Sequence, residues 1–122
     1  MYEDFHAVDR WTGKSVHCMY QALVVAIATR HADAVDIKFL ADGHPVWIAL
    51  PHPAWGEHKR RTGKSISDAL AIAAAGSFLK HAIESGEDGG REMYALTVDE
   101  TLARIEAIQE ELRARPGRKA AD

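Results

Sequence analysis

The sequence contains only one cysteine, Cys18, so the chain cannot form an internal disulfide and nothing in it demands an oxidising compartment. Its first residues lack the basic region and the apolar run that make up a signal peptide. The longest apolar stretch, residues 22–28, is far too short to span a bilayer. We therefore expect a cytoplasmic protein that has no membrane partner.

An excess of charge of one sign is also missing. The 122 residues carry a formal net charge of −3 with the histidines neutral. This balance does not support attraction of the whole protein to nucleic acid, although a local basic patch could still bind it. A chain of this length forms one domain and can bury a core without disulfides or metal. Within that core we expect Cys18 to be a small buried hydrophobe.

The apolar segment after Ser15 fits two interpretations. Its large apolar residues recur at helical spacing, namely Val16, Met19, Tyr20, Leu23, Val24 and Ile27. This spacing, with Ser15 as the N-cap, predicts a helix over residues 16–31. The β-branched residues of the segment favour the alternative, a strand over residues 21–29. The alanines and the spacing favour the helix, after an irregular or short extended lead-in over residues 1–14.

Two alternating apolar runs, residues 35–40 and 46–50, lie on either side of Asp42-Gly43. Alternation on both sides of an Asp-Gly pair is the strongest short-range signal for a β-hairpin. Pro45 has no N–H group, so we expect it at the start of the second strand or on a sheet edge.

A segment rich in proline and charge follows the hairpin. We expect residues 51–56 to be irregular and residues 57–64 to form a charged connection to the next helix. Basic side chains at a helix start would meet unpaired N–H groups and a dipole that both favour anions. The candidate anion-binding residues are Lys59, Arg60, Arg61, Lys64 and Ser65. A phosphate, a nucleic-acid backbone or a partner's acidic surface would fit there, and a solvated charged loop is the alternative.

Two capping-box patterns mark the starts of helices. Residues 65–68 (Ser-Ile-Ser-Asp) begin a helix that we expect to reach Ser85, and Gly76 within it would let a neighbouring element approach closely. Residues 97–100 (Thr-Val-Asp-Glu) begin the last helix, which Pro116 would end.

With a short strand over residues 92–96, the predicted order is α-β-β-α-β-α. Strands that are adjacent in sequence would pair antiparallel, and the helices would cover one face of the sheet. This order predicts an α+β fold, a two-layer sandwich. We expect a single domain over residues 1–115 and a disordered tail over residues 116–122.

The seven histidines are many for this length, and His44, His52 and His58 lie around the second hairpin strand. His52 and His58 are weak candidates for metal ligands, because neither their spacing nor a third partner matches a zinc pattern. We expect no metal and no cofactor. No catalytic signature is present, neither a Gly-x-Ser-x-Gly elbow nor a His-Glu-x-x-His helix. A small enzyme with an unrecognised site near these histidines stays an alternative.

Apolar residues suggest an interface. Trp47 and Trp55 are candidates for exposed aromatic residues, and the last helix has a narrow apolar stripe that includes Leu102, Ile105 and Leu112. The stripe would dock on its own sheet or pair with a second copy. We expect a binding or regulatory module that acts through protein contact, with another protein or its own copy as the partner.

Residues 35–56 are similar to the hairpin of HicB-type antitoxins and to its Phe-Pro-Asp-Leu-Pro-Gly exit, where this chain has Pro-His-Pro-Ala-Trp-Gly. Residues 63–73 are similar to that family's Gly-x-Thr-Leu-x-Glu-Ala-Leu-x-x-Ala helix start. The resemblance implies a partly RNase H-like core that binds and neutralises a small toxin ribonuclease, often as an oligomer that represses its own operon. An insertion at residues 57–61 and the lack of a following DNA-binding segment depart from the family's pattern.

Overall fold

Five strands and three helices build the part of the chain that the computed structural model describes, residues 2–26, 34–86 and 92–114. In chain order they are β1 (Asp4–Val8), β2 (Ser15–Ala26), β3 (Ala34–Ala41), β4 (His44–Pro51), α1 (Pro53–Thr62), α2 (Asp68–Ser85), β5 (Met93–Ala95) and α3 (Val98–Arg113). The predicted α+β class is confirmed. Within these residues, no helix is long and apolar enough to cross a membrane.

The strands form one mixed sheet in the order β1-β2-β3-β4-β5. The first four pair antiparallel with their neighbours, whereas β5 pairs parallel with β4. A parallel neighbour requires a crossover connection, which α1 and α2 provide. The helices pack on the sheet face that carries the largest fully buried side chains of the strands, Ile37, Phe39, Ile48 and Leu50. The opposite face, which we call the outer face, is not covered by these helices.

The predicted hairpin is confirmed as β3 and β4, which pair from Ala34 with Pro51 to Ala41 with His44. Asp42 and Gly43 turn the chain with φ values of 50° and 85°. A two-residue turn with positive φ at both positions matches the twist of the strands that it joins, which explains the choice of Asp-Gly.

The predicted helix over residues 16–31 is wrong where the structure describes it, because residues 15–26 form β2; residues 27–31 lie outside the described residues. The cause is a β-bulge between Tyr20 and Ala22. Before the bulge, every second residue faces the helices, and the last two of these are Cys18 and Tyr20. After the bulge, the residues on this face are Leu23 and Val25. This shift puts a spacing of three into an alternating strand, which imitates a helical period. The lead-in contains a defined strand, β1.

The predicted irregular segment at residues 51–56 is also wrong, because α1 begins at Pro53 and includes most of the charged segment. Proline suits the first helical position, since it has no N–H to leave unpaired there and its φ is already helical. The start of α2 is later than predicted. Ser67, not Ser65, is the N-cap, and its hydroxyl accepts a hydrogen bond from the Leu70 backbone N–H.

Helices α2 and α3 close the core. The close approach predicted at Gly76 is confirmed, because a Cβ built there would lie 2.6 Å from Tyr2 Cβ. The second capping box is confirmed, since Thr97 accepts from the Glu100 N–H and the Glu100 carboxylate accepts from the Thr97 N–H. Helix α3 ends at Arg113, and the predicted tail over residues 116–122 lies outside the described residues.

Candidate interaction surface

The outer face is built by alternate strand residues, whose side chains point away from the helices. The pairing register places its main members side by side across four strands: Met19, Val24, Asp36, Lys38, Leu40, Pro45, Trp47, Ala49 and Met93. Only Trp47 of this set is among the interface residues predicted from the sequence. The alternation of the hairpin strands carries the signal that assigns Asp36, Lys38 and Leu40 to the same face.

Two cross-strand rows make the outer face apolar at its centre. In the first row Met19 pairs with Leu40, which pairs with Pro45. In the second row Trp47 pairs with Met93. Met19 and Met93 are 44% and 50% exposed. This is unusual, because the uncovered face of a sheet usually carries polar side chains. The residues of the two rows form an apolar strip in which Met19, Pro45 and Met93 are exposed and Leu40 and Trp47 are partly exposed.

Two charged side chains share the outer face with this strip. Lys38 is directly opposite Trp47, and its Nζ lies 5.7 Å from the centroid of the Trp47 ring, a cation–π distance. Asp36, on the same strand, is paired in register with Val24 on one side and Ala49 on the other. Partial burial among these neighbours raises the pKa of the Asp36 carboxyl. The outer face therefore combines apolar area with two oriented charges.

A histidine pair occupies the corner of the outer face at β1. The rings of His6 and His17 stack with centroids 4.4 Å apart and an interplanar angle of 8°. His17 Nε2 lies 2.6 Å from Asp4 Oδ1. Sequence reasoning missed this corner, because it depends on the β1–β2 register, which pairs His6 with His17.

The five predicted interface residues do not form one surface. Leu102 and Ile105 are 9% and 1% exposed and face the interior, so the stripe of α3 docks on its own fold. Trp55 is half-buried against the core. Leu112 is 44% exposed near the end of α3. Only Trp47 lies on the outer face.

The predicted basic helix entrance has a different position in the structure. Lys59, Arg60 and Arg61 lie in the last turn of α1, not at the start of a helix. The C-terminal end of a helix carries the negative end of its dipole and disfavours anions. The prediction that a helix start favours an anion at these three residues is therefore wrong. Arg60 and Arg61 both donate to the carboxylate of Glu57, and these bonds lower the pKa of Glu57 to about 2. Lys64 and Ser65, which are exposed, follow in the connection to α2.

The two weak metal candidates lie at opposite extremes of burial. His52 is exposed, with its ring centroid 5.9 Å from that of Trp55. His58 is only 4% exposed, and its Nε2 has no hydrogen-bond partner among the described residues. Nowhere in residues 2–26, 34–86 and 92–114 do three or more His, Cys, Asp or Glu side chains group in a way that could hold a metal ion.

Cys18 lies in the core, as expected. It is 0% exposed on the inward face of β2. Burial, with a smaller contribution from the negative charge of Asp42, raises the pKa of the Cys18 thiol to about 11. The nucleophilic thiolate is therefore disfavoured at neutral pH, and Cys18 has a packing role.

A cavity of about 400 Å³ opens between the β3–β4 turn and α2. Its wall includes apolar Val46 and Leu79 and the carboxylates of Asp9 and Asp42. Both carboxylates accept hydrogen bonds from backbone N–H groups, Asp9 from its own turn and Asp42 from His17. Their place in the cavity wall is thus explained by turn structure, and the outer face stays the stronger candidate site.

No protein-family model matches this chain, and neither the curated proteins nor the solved structures include one that is significantly similar to it.

Proposed function

We propose that this protein is a binding module that presents the outer face of its sheet to another protein. The observation that supports the proposal is the apolar strip on the outer face, in which Met19 and Met93 are exposed and Leu40 and Trp47 are partly exposed. The opposite face of the same sheet is well filled. Apolar patches of this kind on a small domain are typical of protein interfaces, in which Trp and Met are enriched.

The chemistry of the strip describes the partner surface. Trp47 and Met93 offer apolar area at the centre, so the partner should bring aliphatic or aromatic side chains to them. Lys38 lies over the Trp47 ring, where a partner's carboxylate would pair with its ammonium in an environment from which water is excluded. The expected partner is a protein with an apolar patch that has an acidic residue beside it.

The resemblance to HicB-type antitoxins gives this proposal one specific form, in which the partner is a small cytoplasmic toxin ribonuclease. The β3–β4 hairpin followed by helices α1 and α2 supports this form, since these elements span residues 35–85, which carry the resemblance. A gene for a small ribonuclease adjacent to the gene for this protein would identify the candidate partner to purify.

The test compares two tryptophan substitutions in the full chain. Trp47→Ser removes the centre of the strip, whereas Trp11→Ser removes a tryptophan that is 74% exposed on the turn between β1 and β2. Proteins that bind the wild type would be purified, and their affinities for each variant measured by calorimetry. A central tryptophan usually contributes at least about 2 kcal/mol, so we expect Trp47→Ser to weaken binding by about 30-fold or more.

The control variant should bind within about threefold of the wild type, because Trp11 lies away from the strip. Both variants should keep the far-ultraviolet circular dichroism of the wild type, since neither side chain is in the core cluster. A partner that binds wild type and Trp47→Ser with equal affinity would refute the assignment of the outer face. So would the failure to find any protein that binds the wild type.

A further inference from the structure

The second half of β2 forms a sheet edge that the described residues leave unpaired. Strand β1 pairs with β2 only from Ser15 to Met19, and one further bond joins the Tyr20 N–H to the Glu3 carbonyl. The chain then leaves this edge, because Tyr2 packs on Gly76 of α2. Within the described part of the chain, residues 22–26 are consequently paired on one side only, with β3.

Both faces of this free edge are apolar and exposed. Val24, on the outer face, is 46% exposed, and Val25, on the inward face, is 56% exposed. Val25 is exposed although the register pairs it with Val35, which is 3% exposed. An added strand would pair this backbone edge and partly cover the exposed side chains on both faces.

The other two edges of the sheet are protected in the ways that monomeric proteins use. Strand β1 carries Glu3 before it and Asp4 at its start, and β5 is only three residues long. By contrast, β2 has no Asp, Glu, Lys or Arg from Ser15 to Ala26. A second copy of this strand therefore meets no like charge from the first.

We propose that this protein forms a symmetric dimer in which residues 22–26 of two copies pair antiparallel and join the two sheets into one. Inward-facing residues of β2 direct their N–H and C=O groups away from β3, as Tyr20 does in its bond to Glu3. Leu23 and Val25 share this orientation, so a two-fold axis at Val24 lets Leu23 of each copy exchange hydrogen bonds with Val25 of the other.

The dimer is independent of the outer-face function, and its expected strength is modest. A five-residue strand is about 17 Å long, so the paired strands and their valines bury less area than a standard interface. We expect association at roughly micromolar concentration. The segment after Arg113 is a poor competitor for the edge, because it contains Pro116, Gly117 and three basic residues.

The first experiment measures the mass of the 13.4 kDa chain by analytical ultracentrifugation over a concentration series up to roughly millimolar. We expect a monomer–dimer equilibrium for the wild type and a monomer for Val25→Lys, which places two ammonium groups at the junction. Val8→Lys is the matched control, because Val8 is 53% exposed on β1 and should leave the equilibrium unchanged. A monomeric wild type, or a dimer that Val25→Lys does not weaken, would overturn the proposal.

A second experiment decides the matter if Val25→Lys fails to fold. In the proposed register, Val24 faces Val24 of the second copy as a non-hydrogen-bonded pair, with Cα atoms about 4.5 Å apart, a separation that a disulfide can bridge. Val24→Cys should therefore form a covalent dimer with oxidised glutathione as the oxidant, whereas Val8→Cys should not. Buried Cys18 does not interfere. Equal crosslinking of the two variants would refute the register. Trp47→Ser should remain dimeric, which separates this proposal from the outer-face function.

Discussion

Gly76 offers the sharpest test of the packing that this structure shows. It lies in the middle of α2, where alanine is usually the better residue because glycine has more backbone freedom to lose. In this fold, however, a Cβ at position 76 would lie 2.6 Å from Tyr2 Cβ, 2.9 Å from the Tyr2 carbonyl oxygen and 3.3 Å from Phe39 Cζ. Because two of these atoms belong to or adjoin the backbone, Gly76→Ala requires Tyr2 to move away from α2.

Two opposing effects set the magnitude. The gain in helix propensity from glycine to alanine is about 1 kcal/mol. Inserting a methyl group into a filled site costs roughly 1–3 kcal/mol, and two contacts below 3.0 Å indicate the upper part of that range. Moving Tyr2 also removes its edge-to-face contact with Phe5, whose ring centroid is 5.5 Å away. We therefore expect a net loss of about 1–2 kcal/mol in the free energy of unfolding.

Urea unfolding followed by circular dichroism measures this loss, and Gly56→Ala is the matched control. Gly56 is also helical, in α1, but a Cβ there would meet no atom within 4 Å. Gly56→Ala should therefore stabilise the protein by up to about 1 kcal/mol, so the two substitutions should act in opposite directions. In a Tyr2→Gly background the cost of Gly76→Ala should shrink, as expected for residues in contact. If both Gly→Ala changes stabilise equally, Tyr2 does not pack on α2.

Three further predictions concern single groups. Burial raises the pKa of the Cys18 thiol to about 11. This thiol should therefore react with a disulfide reagent at neutral pH only after denaturant unfolds the chain. Rapid reaction in the native protein would contradict its burial. Asp36 has a folded-state pKa above its unfolded value of 3.8, so its ionisation opposes folding at neutral pH and this penalty disappears as pH falls below both values. Asp36→Asn should therefore raise the urea midpoint at neutral pH and lose that advantage at acidic pH, and a lower midpoint at neutral pH would show that the carboxylate is stabilising. His58→Leu replaces a buried ring whose Nε2 has no partner among the described residues. In urea unfolding, this change should leave the free energy of unfolding unchanged or raise it by up to about 1–2 kcal/mol. A decrease of more than about 2 kcal/mol would mean that the ring is hydrogen-bonded.

The parts of the fold that the sequence predicts well are those in which a few neighbouring residues strongly favour one backbone conformation. Asp42-Gly43 permits a tight turn with positive φ at both positions, and the β3–β4 hairpin follows. The Thr97 and Glu100 side chains cap α3 as their spacing of three requires. At Gly76 the absence of a side chain within an apolar helix correctly indicates close packing.

The region between the hairpin and α2 shows why proline and charge mislead. Pro51 and Pro53 suggest an irregular loop, yet Pro53 is the first residue of α1. Because this short helix is present, Lys59, Arg60 and Arg61 lie at the end of α1 and not, as predicted, at the start of the next helix. Whether Arg60 and Arg61 face an anion or Glu57 depends on their spacing of three and four from Glu57 along that helix. The anion-site hypothesis thus depended on one helix boundary.

The outer face could be predicted only in part, because a surface that spans several strands depends on their register. The β3–β4 alternation places Lys38 and Trp47 together, and the local turn fixes that pairing. Met93 joins them only through the parallel pairing of β5, which a crossover of two helices establishes. Local sequence contains no information on that pairing.

The composition of the second half of β2 agrees with the proposed dimer. A strand that is covered on one face shows alternating polarity, and a helix that packs on one side shows a periodic stripe. Residues 22–26 show neither pattern, since Leu23, Val24 and Val25 are consecutive apolar residues. Such a run is typical of a strand that is buried on both faces and paired on both edges. Among the described residues of one copy, the segment has one paired edge and two exposed valines. A second β2 would pair the remaining edge and partly cover both valines, so the composition of the run favours a sheet that continues across the two-fold axis.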